Sequence, residues 1–193
     1  MSPVHDQSVS GTSGGRYPFR TSPSRCAGIP SVHRIGDEHV VGVGEYSVVT
    51  APRRLMCIGL GSCVGVAIFD LDRGIGGLIH AMLPRYADGR DKTKASKYVD
   101  SAIMLMADDL VEMGASRSAL RAKMAGGAQM FSFASSDFLN IGLRNCQTAR
   151  RTLEEERIPL IAEDVGGSKG RTVHFDPSNG SLRVQKSGEY TLL

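Results

Sequence analysis

Two apolar runs, CVGVAIFD over residues 63–70 and IGGLIHAML over 75–83, flank the short stretch LDRG. The first run is made of small and β-branched residues without polar alternation, the pattern of a strand buried on both faces. LDRG has turn chemistry, and the two runs are predicted to pair as an antiparallel hairpin. With the turn centred between Asp72 and Arg73, Gly65 falls opposite His80 and Cys63 opposite Met82. A one-residue slip would move His80 to the other face.

The remaining pattern sets the fold class. HVVGVGEYSVV (39–49) reads as strand material with a turn, and RRLMCIGL (53–60) as a second strand. TKASKYVDSAIMLMADDLVEMG (93–114) is predicted as a helix, because Val99, Ile103, Met106, Leu110 and Met113 recur at spacings of three or four. LRAKMAGGAQMF (120–131) reads as a strand entering a glycine turn, and NIGLRNCQTARRTLEEERI (140–158) as a second helix. PLIAEDVGG, TVHFDP and SLRVQK follow as strands; SKGR is read as a hairpin turn, and SLRVQK as the closing strand of a hairpin across SNG. Strands outnumber helices and the helices are not regularly interleaved, which points to α+β rather than a doubly wound sheet.

The first 35 residues stand apart. They are rich in Ser, Gly, Pro and Arg, lack periodicity and cannot bury enough apolar surface to offset ordering. They are expected to be a disordered extension, with a single domain over 36–193. The chain has 193 residues, 41% of them hydrophobic, which is enough for one core. A formal charge of +3 is too small to argue for nucleic acid. No apolar run approaches the ~18 residues of a membrane span. The four cysteines, Cys26, Cys57, Cys63 and Cys146, match neither a zinc pattern nor a C-x-x-C pair. A reducing, cytoplasmic setting without metal or cofactor is the expectation.

Chemistry concentrates at GLGSC (59–63). A nucleophilic cysteine needs access and a neighbour that activates it. The glycines give Cys63 access, and a tight turn through Gly61 and Ser62 can aim backbone N–H groups at one point as an oxyanion hole. A buried structural thiol at a strand start is the commoner reading of these residues taken alone. His80 shifts the balance: in the predicted register it shares a face with Cys63 on the diagonal, with Gly65 leaving the imidazole room to lean towards the thiol. Cysteine and histidine within reach are the minimal unit for acyl transfer. GLGS lacks the lysine of a phosphate loop, GGSKGR is a weaker anion candidate than a turn, His174 has a packed or solvated strand position as its default, and Cys146 is expected to be buried in its helix.

The segments GVGEY, GLGSCVGV, HAMLP, KMAGGAQMF, IGLRN and IPLIAEDVGGSKGRTVHFDPSNG, in order within a match from about residue 39 to 186, resemble the CheD family of chemoreceptor glutamine deamidases. The resemblance implies a layered α+β sandwich of mixed, largely antiparallel sheets with helices outside, as in toxin deamidases. It implies hydrolysis of glutamine side chains on methyl-accepting chemoreceptors to glutamate and ammonia, and CheC as a further partner. The family's nucleophile falls on Cys63 and its histidine on His80. Its third catalytic residue, usually Thr, falls on Cys57, where a thiol is a poorer partner for an imidazole than a hydroxyl. Either Cys57 orients His80 less well, or a backbone carbonyl does so instead; a Cys57–Cys63 disulfide that switches the enzyme off under oxidation is a third option. Two other functions remain open from the residues: a CheD-like adaptor binding receptors or CheC with little catalysis, and a cysteine hydrolase acting on small amides.

Overall fold

The computed structural model describes residues 34–129 and 140–193. Among the described residues eleven strands form two sheets. The six-stranded sheet has the order β1 (Arg34–Ile35), β2 (Glu38–Val40), β4 (Arg54–Leu60), β9 (Arg171–Asp176), β10 (Ser181–Lys186), β11 (Glu189–Leu192). The five-stranded sheet runs β3 (Glu45–Thr50), β6 (Ile75–Ala81), β5 (Val64–Asp70), β7 (Arg121–Gly126), β8 (Leu160–Val165). Helices α1 (Val99–Glu112) and α2 (Ile141–Glu155) complete the fold.

The hairpin predicted from the two apolar runs forms the middle of the five-stranded sheet, and every residue of β5 and β6 is buried. One face carries Val64, Val66, Ile68, Ile79 and Ala81, packed with Ile103 and Met106 of α1 and Ala149 and Leu153 of α2. The opposite face carries Ala67, Phe69 and Leu78, packed with Leu55, Val173, Phe175 and Leu182 of the six-stranded sheet. The molecule is therefore an α+β sandwich of three layers: helices, five-stranded sheet, six-stranded sheet. Fully burying a large apolar side chain contributes about 1.5–3 kcal/mol, so a hairpin buried on both faces anchors two cores at once. Gly77 is needed for this closeness, since a Cβ there would lie 2.5 Å from Met106 Sδ.

Two expectations change, the start of the first helix and the role of SKGR. The helix predicted from residue 93 begins at Val99. The preceding stretch is drawn into tertiary contacts instead: Met82 and Leu83 both donate their N–H to the Lys97 carbonyl, and the Tyr98 hydroxyl donates to Asp91 O. Residues 39–49 supply strand on either side of a turn, as expected, with β2 and β3 in different sheets. SKGR is not a hairpin turn; it carries the chain from β8 in one sheet to β9 in the other. SLRVQK closes the expected hairpin as β10, antiparallel to β9, and β11 pairs on its outer side. Of the segment expected to be disordered, residues 1–33 lie outside the described residues, and Arg34 and Ile35 pair with β2. Among the described residues no helix is long and apolar enough to cross a membrane.

Candidate active site

Residues 61–63 are the point where the chain changes sheets, between the end of β4 and the start of β5. Three donors, two from the segment after β7 and one from α2, hold this turn by its carbonyls. Ala128 N donates to Gly61 O at 2.8 Å, and Gly127 N to Cys63 O at 2.8 Å. Asn145 Nδ2, from α2, donates to Ser62 O at 2.9 Å. The N–H groups of Ser62 and Cys63 donate to no other described residue. The GLGSC turn thus has its carbonyls tied down, and among the described residues its two amide donors have no partner in another residue. Cys63 is half-buried and packs against the core between the sheets.

His80 enters through the hairpin register. Gly65 pairs with His80 and Val64 with Ala81, as predicted. Extending that register puts Cys63 and His80 on the same, inter-sheet face as diagonal neighbours, about 7–8 Å apart at the backbone. His80 is 1% exposed. Its Nδ1 lies 3.4 Å from the Val41 carbonyl. A carbonyl only accepts, so Nδ1 carries the proton and Nε2 is the lone-pair nitrogen. Nε2 is buried with no hydrogen-bond partner among the described residues. Burial holds the His80 pKa below its ordinary value, against the opposing pull of the Val41 carbonyl and Glu45. Burial likewise pushes the Cys63 thiol up, while its own backbone N–H pulls it down. At neutral pH the pair is a thiol facing a neutral imidazole.

Cys57 sits on β4, fully buried in the same inter-sheet core. Its Sγ donates to the Ile79 carbonyl at 3.7 Å, on the backbone just before His80 and not on the ring. Burial, and secondarily the nearby Cys63, push its pKa well up. Of the two orienting arrangements weighed above, the backbone carbonyl is the one present, and it belongs to Val41. The room at Gly65 is also used differently from expectation. A Cβ there would lie 2.9 Å from Leu60 Cδ1 and 3.4 Å from Val173 Cγ2, so the facing sheet fills that space.

Two side chains escaped the sequence reading. Asn145 is completely buried and also donates to Met82 O at 3.1 Å. An asparagine on the apolar stripe of a helix, beside Cys146 and Ala149, is the signal that could have found it. Arg171 is 4% exposed and grips Asp164 Oδ1 through Nε at 3.0 Å and Nη2 at 2.8 Å. It also donates to Gly166 O at 2.8 Å and Gly126 O at 3.4 Å, so the motif DVGG…GR is a brace behind the turn. Cys146 is buried as expected, and His174 pairs with Glu38 at 2.6 Å. Among the described residues no three His, Cys, Asp or Glu side chains cluster as a metal site.

The family model described as CheD chemotactic sensory transduction matches residues 82–186. A relative from Clostridium tetani, named as a probable chemoreceptor glutamine deamidase CheD, is 40% identical over 152 residues, 78% of this chain and 92% of the relative. The chain belongs to the CheD family. A CheD named as a chemoreceptor glutamine deamidase from Halalkalibacterium halodurans is 46% identical over 147 residues, 75% of this chain and 91% of its own. The family-model match begins just past His80, but a stretch covering 78% of the chain must include Cys57, Cys63, His80 and Asn145 wherever it starts. The CheD chain is also similar to the crystal structure of Bacillus licheniformis hypothetical protein YfiH, with 16% identity and a TM-score of 0.42 over 62% of this chain and 49% of that one. That likeness is too distant to carry an argument.

Proposed function

We propose that this CheD chain is a chemoreceptor glutamine deamidase, hydrolysing selected glutamine side chains on the cytoplasmic domains of methyl-accepting chemoreceptors. Cys63 is the nucleophile and His80 the general base and acid. The observation that carries this reading is the His80 ring: anchored through Nδ1 at Val41 O, neutral, with Nε2 unpartnered on the face it shares with Cys63. The relatives' names support the substrate class. The domain over residues 36–193 holds all these residues, and the reaction takes place in the cytoplasm, where the receptor domains lie. CheC is the further partner implied by the family.

The chemistry follows from the protonation states. Nε2 takes the thiol proton as Sγ attacks the carboxamide carbon. The oxyanion forms against the N–H groups of Ser62 and Cys63, and Gly61 keeps the approach clear. The intermediate collapses as the imidazolium gives its proton to the departing nitrogen, releasing ammonia and leaving a thioester. His80 then takes a proton from water, whose oxygen adds to the thioester carbon. Collapse of the second intermediate frees glutamate and returns the proton to sulfur.

The test is ammonia release from a purified receptor cytoplasmic domain, with the modified glutamines read by mass spectrometry as a gain of one mass unit. The wild type converts specific glutamines, and Cys63→Ala and His80→Ala do not. Receptor binding by the wild type without any release would overturn the reading in favour of an adaptor.

A further inference from the structure

Asn145 spends both hydrogens of its carboxamide nitrogen on two carbonyls that flank the candidate site. One belongs to Ser62, next to the nucleophile, at 2.9 Å; the other to Met82, two residues past the histidine, at 3.1 Å. The β5–β6 ladder ends at the pair Val64–Ala81, so these carbonyls lie where ladder hydrogen bonds no longer hold the two segments together. The side chain is buried, and its Oδ1 has no hydrogen-bond partner among the described residues. Packing does not need this arrangement. Cys146, Ala149 and Leu153 already seat α2 on the sheet, and an apolar side chain of the same size would fill the space without stranding an oxygen.

Peptide geometry gives the contact a direction. In a trans peptide the C=O and the following N–H point opposite ways. Asn145 draws the Ser62 carbonyl towards the helical layer, so the Cys63 N–H points to the other face, where the Cys63 side chain packs between the sheets. The pull of that N–H on the Cys63 sulfur agrees with this orientation. We propose that Asn145 is a positioning residue: one carboxamide fixes the Ser62–Cys63 peptide with its N–H aimed at the oxyanion, and ties that peptide to the strand end that carries His80. The catalytic part of this role rests on the deamidase reading; the hold on the peptide does not.

The test uses the full chain with Asn145→Leu, which keeps the volume but cannot donate, and Asn145→Ala. Thr152→Val, a buried polar residue of the same helix away from the turn, is the control. Two quantities are read below the melting temperature of each variant. The first is kcat and KM on a receptor cytoplasmic domain. The second is the pH midpoint of Cys63 alkylation by iodoacetamide, which needs no deamidation. We expect kcat to fall about 10- to 100-fold with KM little changed, the range for a slightly misplaced catalytic group, and the alkylation midpoint to move up. The control should keep both. A folded Asn145 variant with wild-type kcat and midpoint overturns the proposal, as does an equal loss in Thr152→Val or the failure of both Asn145 variants to fold. A wild type that releases no ammonia sinks the deamidase reading instead, while the alkylation midpoint still decides whether Asn145 holds the peptide.

Discussion

The Cys57 thiol donates to the carbonyl of Ile79 at 3.7 Å, one residue short of the imidazole it was expected to orient. A buried thiol with a raised pKa remains a protonated donor to the backbone. Replacing it should therefore leave chemistry largely alone. Cys57→Ala is expected to lower stability by about 1 kcal/mol, the scale for deleting one methyl-sized buried group, and to keep kcat close to wild type. Urea denaturation and steady-state kinetics check both. A collapse in kcat at intact fold would mean that the thiol acts on His80 after all.

The pH profile follows from the two directions of shift. His80 must be unprotonated to accept the Cys63 proton, and burial holds its pKa below the ordinary imidazole value of 6.5. The acid limb of kcat/KM should therefore lie below pH 6.5, with activity already full at neutrality. The same shift affects stability. Below about pH 6.5 the unfolded chain binds a proton that the folded His80 resists, so stability is present above that pH and is lost as pH falls towards the folded pKa. His80→Gln should flatten this part of the stability curve.

At Gly65 the facing sheet fills the space beside the candidate site. Its backbone imposes no left-handed conformation, so Gly65→Ala tests space alone. The new Cβ meets Leu60 Cδ1 at 2.9 Å, and the Leu60 side chain must move. An overpacking cost of about 1–3 kcal/mol is expected, read as a lower urea midpoint at unchanged slope.

Arg171 and Asp164 form a nearly buried, two-pronged ion pair, with side-chain exposures of 2% and 16%. Arg171→Met should destabilise the fold by about 3–5 kcal/mol, because it leaves the carboxylate without its main partner and releases the Gly126 and Gly166 carbonyls. Arg171→Lys should recover only part of this, since an ammonium cannot reproduce the fork. Thermal melts of the three proteins give the order directly.

Thiol labelling separates the cysteines. Cys63 is half-buried, whereas Cys57 and Cys146 are buried. Brief iodoacetamide treatment of the native protein should modify Cys63 ahead of the other two, as read by peptide mass spectrometry. Labelling of Cys57 at the same rate would contradict the packing of β4.

The parts legible in the sequence were those with a short-range pattern. Apolar runs and a four-residue turn predicted β5, β6 and their register, and so placed Gly65 opposite His80. The 3.6-residue spacing predicted the buried face of α1, and ordered motifs pointed to CheD. Where periodicity competed with tertiary hydrogen bonds, as at residues 93–98, the pattern overran the element. Where a turn signal such as SKGR could equally close a hairpin or cross between sheets, only packing distinguished the two.

The sequence alone determined the α+β class, the family resemblance, and which cysteine and histidine share a face. The tertiary structure decided what surrounds them: Val41 at the imidazole, Asn145 at the turn, and Cys57 turned to Ile79. The reason is distance along the chain. Val41 is 39 residues from His80, and Asn145 is 83 from Ser62. Hydrophobic period and turn chemistry report on neighbours a few positions apart. Which remote carbonyl or carboxamide arrives at the site depends on how two sheets and a helix stack.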